Sequence, residues 1–396
     1  MFEKLELLPP DPILGLTTTF KNDPNPAKVN LGVGVYKDET GNTPIFEAIK
    51  AAEKSMLEKQ TTKAYVPQAG EPEYLEGITK LVLGDSIASK RSELISAAMT
   101  PGGSGALRML AGLVGSTGSD PTVWASNPTW GNHFPLLESA GLKLEPYPYY
   151  DGTTGLVNFE AMMSTLEAAK PGDVLLLHGC CHNPTGADLS QEQWQTVISF
   201  ANEKQLIPFI DLAYQGLGDG LEEDVYGIRL AVQSCPETMI AVSSSKTFGV
   251  YRERAGVAIM TSRTSEDSEK ALTNILSIAR RTYSMSASHG AATIGELLST
   301  PELKSQWENE INVARKRMVG LREEFVTRLN GAQDKKDFSF VSQNKGMFSI
   351  LGLSLEQVLE MREKSGIYLI NSSRISIAGL TDANLDGVVK SIVDVL

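Results

Sequence analysis

Five short apolar segments, separated by longer stretches of helical periodicity, constrain the fold of this chain more than any other feature. They lie at residues 122–126, 174–178, 206–211, 239–242 and 256–260. Strands that are apolar throughout are buried on both faces, and the helices between them are the elements that cover those faces. The sequence therefore predicts an α/β fold with a mostly parallel central sheet covered by helices on both faces.

The length of the chain and a helical pattern that starts near residue 300 predict two domains. The chain has 396 residues, which exceeds the size at which a single hydrophobic core stops growing. Thr300 and Pro301 are typical of a helix start, and apolar residues then recur every three or four positions as far as Leu329, just before Gly331. Apolar runs at 31–36, 338–341 and 367–370 predict further strands. We expect an N-terminal arm with part of a small domain at 1–45, a large domain at 46–305, and a small C-terminal α/β domain at 306–396, with a linking helix over about 301–330.

Charge and cysteine content argue against several classes of protein. The net charge is −12 and the Lys and Arg residues form no basic cluster, so nucleic acid is not an expected partner. No apolar run reaches 18 residues and residues 1–4 do not resemble a signal peptide, so we expect no membrane association and a cytoplasmic location. Cys180, Cys181 and Cys235 show neither a disulfide framework nor a metal-ligand spacing, and no metal site is predicted.

Lys246 is the most informative charged residue of the sequence. It follows the apolar run 239–242, lies beside Ser243 and Ser245, and precedes Arg254 by eight residues. A partly desolvated amine has a lowered pKa and can condense with an aldehyde to a Schiff base, while hydroxyls and an arginine hold a phosphate alongside. These groups therefore suit pyridoxal phosphate. The plain alternative is a solvated lysine at the start of a helix, where serines commonly act as caps.

Two further segments place polar groups where such a cofactor could bind. Gly103 and Ser104 belong to a glycine turn that opens an apolar helix, and free backbone N–H groups at a helix N-terminus attract phosphate. Asp211 ends an apolar run and Tyr214 follows it, so a carboxylate could keep a pyridine nitrogen protonated and a phenol could bind the ring oxygen. A simple tight turn and an aspartate that caps a turn are the plain alternatives.

Two interpretations are also possible for Asn183, Trp130 and His133: each could belong to a cofactor site, or each could be an ordinary turn or core residue. Asn183 starts an Asn-Pro-Thr-Gly segment, and such segments are ordinary turns. Trp130 could stack on a ring and His133 could support another residue from behind, but an isolated Trp or His is more often part of the core. Asn183, Asp211 and Lys246 all follow strand ends, and ligands of open α/β sheets bind outside the carboxyl ends of the strands.

Taken in chain order, these pieces resemble a known family. The order is a glycine turn, Trp, Asn-Pro-x-Gly, Asp-x-x-Tyr, Ser-x-Ser-Lys and Arg. It is similar to that of the class I, fold-type I pyridoxal phosphate-dependent aminotransferases, and most similar to the bacterial aspartate and aromatic amino acid (tyrosine) aminotransferases. The resemblance covers nearly the whole chain. It implies a transaminase that moves an amino group between aspartate or aromatic L-amino acids and 2-oxoglutarate, in a ping-pong reaction through pyridoxamine phosphate.

The resemblance implies a role for each residue of the site. Lys246 would bind the cofactor covalently and carry the substrate proton, Asp211 would pair with the ring nitrogen, and His133 would support Asp211. The ring oxygen, the ring face and the phosphate would contact the remaining cofactor-binding residues: Tyr214, Asn183, Trp130, Gly103, Ser104, Ser243, Ser245 and Arg254. Cis peptide bonds are implied at Asn127-Pro128 and Asn183-Pro184.

The resemblance also implies a partner subunit. Tyr65 would bind the phosphate of the neighbouring active site, and Arg280 would cross the interface to a side-chain carboxylate of the substrate. The expected assembly is therefore a homodimer with shared active sites. Taken alone, Arg280 and Arg281 could equally be a basic pair that complements the dipole at a helix C-terminus.

Substrate selection would depend mainly on arginines. Arg374 would clamp the α-carboxylate of amino acids and 2-oxo acids, and a bidentate Arg–carboxylate pair contributes roughly 1.5–3 kcal/mol. Two features leave the preferred side chain open, because Ser104 is more typical of the aromatic branch of the family and Lys37 to Thr40 is more typical of the aspartate branch. The substrate-binding residues that the resemblance implies are Gly34, Trp130, Asn183, Arg280 and Arg374.

Two other functions stay open on the residues alone. Ser243 and Lys246 formally fit the S-x-x-K pattern of a Ser/Lys acyl hydrolase, although no Lys-Thr-Gly segment accompanies them. A non-catalytic binding protein could also retain such a pocket, although Asp211, Lys246 and Arg374 are all present. Bound, coloured cofactor in the purified protein would separate a hydrolase from a transaminase.

Overall fold

A seven-stranded sheet forms the centre of the structure, a computed structural model that describes residues 1–8 and 12–396. The strands are β1 Val29–Asn30, β2 Ile95–Pro101, β3 Thr122–Asn127, β4 Lys143–Pro148, β5 Tyr150–Asp151, β6 Leu156–Val157, β7 Val174–His178, β8 Ile207–Leu212, β9 Thr238–Ser243, β10 Ala255–Thr261, β11 Phe348–Ile350, β12 Ile367–Tyr368 and β13 Arg374–Ser376. The order in the sheet is β2-β10-β9-β8-β7-β3-β4. β10 is antiparallel to β2 and to β9, and the other pairs are parallel. The predicted α/β fold with a mostly parallel sheet is confirmed.

The sequence does not predict the two edge strands of this sheet, β2 and β4. β4 is largely exposed and contains Pro146 and Pro148, a composition that is tolerated at an edge but is not typical of a buried strand. β2 consists mainly of small and polar residues. The five central strands are the apolar ones, and for this reason the sequence reveals them.

Helices cover both faces of the sheet and complete the fold. They are α1 Pro12–Asn22, α2 Glu47–Lys59, α3 Pro72–Leu83, α4 Asp85–Lys90, α5 Gly102–Ser116, α6 His133–Glu138, α7 Phe159–Leu166, α8 Gln191–Glu203, α9 Tyr226–Ser234, α10 Ser244–Thr247, α11 Ser265–Thr282, α12 His289–Ser299, α13 Pro301–Ala332, α14 Phe340–Gln343, α15 Leu355–Ser365 and α16 Asp382–Val395. Leu175 and Leu177 of β7 pack in one hydrophobic cluster and Leu176 packs in another. Because successive side chains of a strand point to opposite faces, these clusters lie on opposite sides of the sheet. Across the described part of the chain, no helix combines the length and the apolar character that a membrane span requires.

The long helix α13 extends from the sheet into a third hydrophobic cluster. Trp307 and Met318 pack in the cluster that contains Leu175, whereas Phe325 and Leu329 pack with Leu31 and with buried residues between 338 and 392. The predicted start at Pro301 is confirmed. The helix continues through Gly331 to Ala332, because that glycine does not adopt a positive φ and so does not terminate it.

Two of the predicted strands are wrong. Phe338 and Val341 are both buried while Ser339 is exposed, and this spacing of three residues suits a helical turn such as α14. In the segment 31–36, the Leu31 carbonyl accepts a hydrogen bond from the Ser376 N–H, but the following residues form no strand. They run instead beside the candidate active site.

The topology brings the predicted polar residues to one edge of the sheet. β7, β8 and β9 are parallel and end at His178, Leu212 and Ser243, so their carboxyl ends lie side by side. β10 runs in the opposite direction, so its start, next to Arg254, lies at the same edge. α5 begins there as well, directly after the end of β2 at Pro101.

Candidate active site

One cavity at this carboxyl edge contains ten of the predicted cofactor-binding residues. The full lining is Gly103, Ser104, Leu107, Trp130, His178, Cys180, Asn183, Asp211, Ala213, Tyr214, Ser243, Ser245, Lys246 and Arg254. Of the residues proposed for cofactor and substrate binding, Tyr65, Gly34, Arg280 and Arg374 are not part of this lining. Both implied cis peptide bonds, at Asn127-Pro128 and Asn183-Pro184, are present.

Lys246 projects from a single helical turn at the end of β9. Ser243 caps this turn, and its hydroxyl accepts a hydrogen bond from the Ser245 N–H at 3.4 Å. The Lys246 amine lies 5.0 Å from the centre of the Tyr214 ring. Burial lowers the pKa of this amine below its usual value; the charge of Asp211 raises it and that of Arg254 lowers it, and the net shift is downward. A larger fraction of Lys246 is therefore neutral and nucleophilic at a given pH than of a solvated lysine.

Asp211 is buried in the cavity wall and is held by a histidine. His133 Nε2 lies 3.0 Å from Asp211 Oδ2. Burial alone would raise the pKa of the Asp211 carboxyl, but the hydrogen bond from His133 and the nearby charges outweigh it and lower that pKa below the usual value of 3.8. Asp211 is thus a buried carboxylate that keeps its negative charge.

A chain of hydrogen bonds continues behind His133. Thr129 Oγ1 lies 2.7 Å from His133 Nδ1 and 3.0 Å from His178 Nε2. Burial lowers the pKa of His178 to about 3, and proximity to His133 contributes in the same direction. His178 is therefore neutral at physiological pH and fixes the orientation of Thr129 without adding charge.

His178 and Thr129 are site residues that were not predicted from the sequence. The sequence does contain a signal for His178, because this residue ends the apolar run 174–178 in the same way that Asp211 ends the run 206–211. The two residues are register partners in the sheet. Thr129 carries no such signal. Its hydroxyl bridges two histidines that are 45 residues apart in sequence, His133 and His178, and only the fold brings them together.

The start of α5 forms a cradle suited to an anion. Gly102 has a φ of +72°, and a Cβ atom at this position would lie 2.5 Å from Arg254 Nη2, so only glycine fits. A Cβ atom on Gly103 would lie 2.8 Å from the Ser243 Cβ. Arg254 Nη1 donates to Ser245 Oγ at 3.2 Å, which directs its guanidinium to the same place as the first N–H groups of α5. Arginine, hydroxyls and a helix N-terminus together bind phosphate well.

Arg374 lies beside this cavity and contacts its lining through Asn183. Arg374 Nη1 donates to Asn183 Oδ1 at 3.1 Å, and Nη2 donates to the Gly32 carbonyl at 2.7 Å. The Phe348 ring stacks against the guanidinium, 4.2 Å from its central carbon. Arg374 Nε is buried and has no hydrogen-bond partner among the residues that the structure describes. A buried donor without a partner is costly, so this geometry suits an acceptor such as a carboxylate.

Tyr65, Arg280 and Gly34 lie outside the cavity. Tyr65 is 92% exposed, and Arg280 is exposed and donates to the Ser284 hydroxyl. Gly34 packs against Phe348, where a Cβ atom would lie 2.6 Å from the ring, so a larger residue would displace the ring that supports Arg374. Within a single chain, neither Tyr65 nor Arg280 belongs to the site that Lys246 occupies.

The cavity fits pyridoxal phosphate group by group. The aldehyde would meet the Lys246 amine, whose pKa is lowered, and the phosphate would meet the Gly102 cradle and Arg254. The ring nitrogen would meet the carboxylate of Asp211, and the ring oxygen would meet Tyr214. Burial raises the pKa of the Tyr214 phenol, so it remains a hydrogen-bond donor. The fold and the site together define an α/β enzyme that uses pyridoxal phosphate.

Comparisons with known proteins identify the family. Residues 26–392 match the aminotransferase class I and II family, and the chain belongs to it. The chain is 44% identical over 395 residues to an aromatic-amino-acid aminotransferase of Paracoccus denitrificans and 42% identical over 396 residues to an aspartate aminotransferase of Escherichia coli K12, each with 100% of both chains covered. A crystal structure of an aromatic-amino-acid aminotransferase from Burkholderia pseudomallei, covalently bound to pyridoxal phosphate, superimposes with a TM-score of 0.97 at 38% identity, covering 100% of this chain and 99% of the other.

The protein is therefore a pyridoxal phosphate-dependent aminotransferase. Neither the fold nor these comparisons support the alternatives of a Ser/Lys acyl hydrolase or a non-catalytic binding protein.

The lowered pKa of Lys246 leads to a prediction about cofactor uptake. Only the neutral amine attacks an aldehyde, so covalent attachment of pyridoxal phosphate to cofactor-free protein should accelerate as pH rises and level off below the usual lysine pKa of 10.5. Stopped-flow absorbance after mixing at a series of pH values measures this rate. A rate that keeps rising up to pH 10.5 would contradict a lowered pKa.

Proposed function

We propose that this aminotransferase accepts both aspartate and aromatic L-amino acids as amino donors, with 2-oxoglutarate as the acceptor, in a ping-pong reaction through pyridoxamine phosphate. The observation that carries the proposal is the buried, unpartnered Nε of Arg374, next to an Nη1 already oriented by Asn183. This edge of the guanidinium suits the α-carboxylate that all these substrates share. Relatives named for aspartate and for aromatic amino acids both align along the full chain.

We propose that three groups of residues hold the cofactor, at its phosphate, at its ring face and at its ring oxygen. Gly103, Ser104, Ser243, Ser245 and Arg254 would hold the phosphate, in the cradle at the start of α5. Trp130 would cover the ring face, since it lines the cavity and meets the His133 ring edge-on at 5.3 Å. Asn183 and Tyr214 would donate to the ring oxygen. When bound, the cofactor supplies an electron sink for the charge that develops at the substrate Cα.

The chain's own residues then supply proton transfer and charge. The incoming amino group would free Lys246 from the cofactor. The Lys246 amine would then remove the proton from the substrate Cα and transfer it to the cofactor. Asp211 would keep the ring nitrogen protonated, because its carboxylate stays charged although buried. Arg374 would orient the substrate so that its Cα–H bond faces Lys246, a contribution of the proximity type.

A reaction panel tests the proposal directly. Holoenzyme mixed with a single amino acid, with no 2-oxo acid present, should change its visible absorption with aspartate and with phenylalanine, and 2-oxoglutarate should restore the original spectrum. An amino acid without either side chain, such as alanine, serves as the comparison. If only one of the two classes reacts faster than alanine, the proposal of dual specificity fails while the assignment as an aminotransferase stands.

We also propose a homodimer with shared active sites. The support is the position of Tyr65 and Arg280, which are exposed on a single chain and lie away from its own cavity. In a dimer they would complete the partner's site, Tyr65 at the phosphate and Arg280 at the substrate side chain. Analytical ultracentrifugation gives the assembly. Mixing Lys246→Ala and Tyr65→Ala subunits should then restore about a quarter of wild-type activity, since one site of each mixed dimer combines two unaltered contributions.

Domain boundaries and location are further proposals. We propose a large domain at 46–305 and a small domain formed by 1–45 and 306–396, supported by the separate hydrophobic cluster that combines Leu31 with residues after 320. We propose a cytoplasmic location, supported by the three buried, free thiols of Cys180, Cys181 and Cys235, which suit a reducing compartment.

Replacing Arg280 with alanine tests how the two substrate classes are distinguished. Aspartate and glutamate should lose about tenfold to a hundredfold in kcat/KM, because one Arg–carboxylate pair disappears. Phenylalanine and tyrosine should lose little or gain, because an aromatic ring leaves this arginine unpaired and its guanidinium already has an exposed partner at Ser284. Steady-state kinetics with both donors measure the difference.

Arg374→Ala is the matched comparison for Arg280→Ala. It removes the α-carboxylate contact, so it should reduce kcat/KM for aspartate and for phenylalanine by similar factors. Equal losses for the two donors in the Arg280 variant would instead show that Arg280 has a structural role and that the side chain is selected elsewhere.

A further inference from the structure

Trp307 of α13 contacts the helical turn that carries Lys246. It is fully buried, and its indole Nε1 donates a hydrogen bond to the Thr247 carbonyl at 3.0 Å. Its ring stacks on Phe248, with a centroid distance of 4.6 Å and an interplanar angle of 12°. Both contacts are made to residues that directly follow Lys246 in the chain.

The turn that carries Lys246 depends on contacts from outside. α10 has only four residues, and helices of this length are not stable on their own. Three side-chain hydrogen bonds hold it from behind. Tyr74 pairs with the Ser244 hydroxyl at 2.7 Å, the Thr247 hydroxyl donates to the Gln215 carbonyl at 3.0 Å, and Trp307 donates to Thr247. Of these three, only the contact from Trp307 comes from a helix that continues into the third hydrophobic cluster.

α13 also holds the segment that leads to the substrate-binding arginine. Arg322 lies fifteen residues after Trp307 on the same helix and donates to the carbonyls of Gly346 and Phe348. Phe348 begins β11, which pairs with β13 so that Ile350 lies opposite Arg374. One uninterrupted helix therefore contacts both the turn of Lys246 and the strand that supports Arg374.

We propose that Trp307 is a positioning residue, which fixes the Lys246 turn relative to α13 and so sets the distance and angle at which the Lys246 amine meets the substrate Cα. The inference rests on the role of Lys246 in the proposed function. Without the indole N–H, the buried Thr247 carbonyl has lost a hydrogen bond, and the peptide adjoining Lys246 must shift to regain one. Substrate binding at Arg374 does not use this contact, so the effect should appear in kcat and not in KM.

Trp307→Phe is the test, because phenylalanine keeps an aromatic ring beside Phe248 but lacks the N–H donor. We expect kcat to fall about threefold to tenfold, the rate equivalent of one neutral hydrogen bond, with KM for the amino donor within about twofold of wild type. The pH midpoint of the visible absorption of the holoenzyme, which reports the group bonded to Lys246, should shift by about 0.5 unit or more, a threefold change in proton affinity.

Trp124→Phe is the matched control. Trp124 is buried, and its indole N–H also donates to a buried acceptor, Asp173 Oδ2 at 3.0 Å, but it lies on β3 away from the Lys246 turn. Both variants should lower the melting temperature, since each removes a buried hydrogen bond. Only Trp307→Phe should change kcat and the absorption midpoint.

The proposal is overturned if folded Trp307→Phe holoenzyme behaves like Trp124→Phe, with a lower melting temperature but unchanged kcat and midpoint. If Trp307→Phe does not fold, 3-benzothienylalanine at position 307 decides, because it has the shape of tryptophan without the N–H donor and the same two outcomes apply. Failure of the role of Lys246 itself would be recognised separately, by covalent cofactor that persists after Lys246→Ala.

Discussion

Replacing Lys246 with alanine is expected to abolish nearly all transamination while leaving the chain folded. Two functions should disappear together, because we propose that the same amine forms the covalent bond to the cofactor and moves the substrate proton. Positioned acid–base groups alone contribute about 10²–10⁴-fold, so activity should fall at least a thousandfold. The remaining groups of the cavity, including Arg254 and Asp211, should still hold the cofactor without a covalent bond.

Borohydride reduction followed by mass spectrometry measures the covalent part of this prediction. Wild-type protein should retain the mass of the reduced cofactor on the peptide that contains Lys246, and the alanine variant should retain none. Lys336→Ala is the matched control, because Lys336 is also partly buried but uses its amine to donate to the carbonyls of Leu351 and Gly352. Cofactor trapped on another lysine of the Lys246 variant would contradict the assignment.

Residues that follow the central strands were predictable because two physical signals coincide there. The apolar runs mark the strands, and a parallel sheet brings their carboxyl ends to one edge, so Asn183, Asp211 and Lys246 were expected to meet. The structure places all three in one cavity. These two signals do not apply to Arg374. It lies on a strand of three residues, and its role as the α-carboxylate clamp was implied by the family resemblance and not by periodicity.

Contacts between side chains that are distant in sequence could not be predicted in this way. Thr129 joins two histidines, and Trp307 reaches a backbone carbonyl 60 residues earlier in the chain. Trp307 has the spacing of a core residue on an amphipathic helix, and it is one; its N–H donor becomes informative only when its acceptor is known. The prediction of a strand at 338–341 failed for a related reason, because a short apolar run does not distinguish a strand from a helical turn.

The hydrogen-bonded chain behind Asp211 explains why its charge is stable. His133 binds one carboxylate oxygen, and Thr129 connects His133 to His178, whose pKa of about 3 keeps it neutral. The pKa of Asp211 itself is lowered below its usual value, so its carboxylate stays charged in weakly acidic solution. Any loss of activity on acidification between about pH 5 and 7 must therefore originate in other groups, since Asp211 stays charged throughout that range.

Asp211→Ala should leave the cofactor bound but chemically weak. An unprotonated ring nitrogen cannot accept the charge that develops at Cα, and removing one preorganised electrostatic group of this kind costs about 10²–10³-fold in kcat. Asp211→Asn separates charge from shape, because the amide can still accept from His133 but is neutral. If charge is what matters, both variants should lose activity to a similar degree.

Single-turnover absorbance with aspartate measures the step that we propose Asp211 to support, and gel filtration shows whether the cofactor remains bound. Asp173→Asn is the matched control: Asp173 is also a buried carboxylate, which accepts from Trp124 and from the N–H groups of Thr122 and Lys170, but it lies at the opposite edge of the sheet. That variant should lose stability and keep its turnover rate. A fall of less than about tenfold in Asp211→Ala, equivalent to about 1.4 kcal/mol of barrier, would show that Asp211 is not the partner of the ring nitrogen.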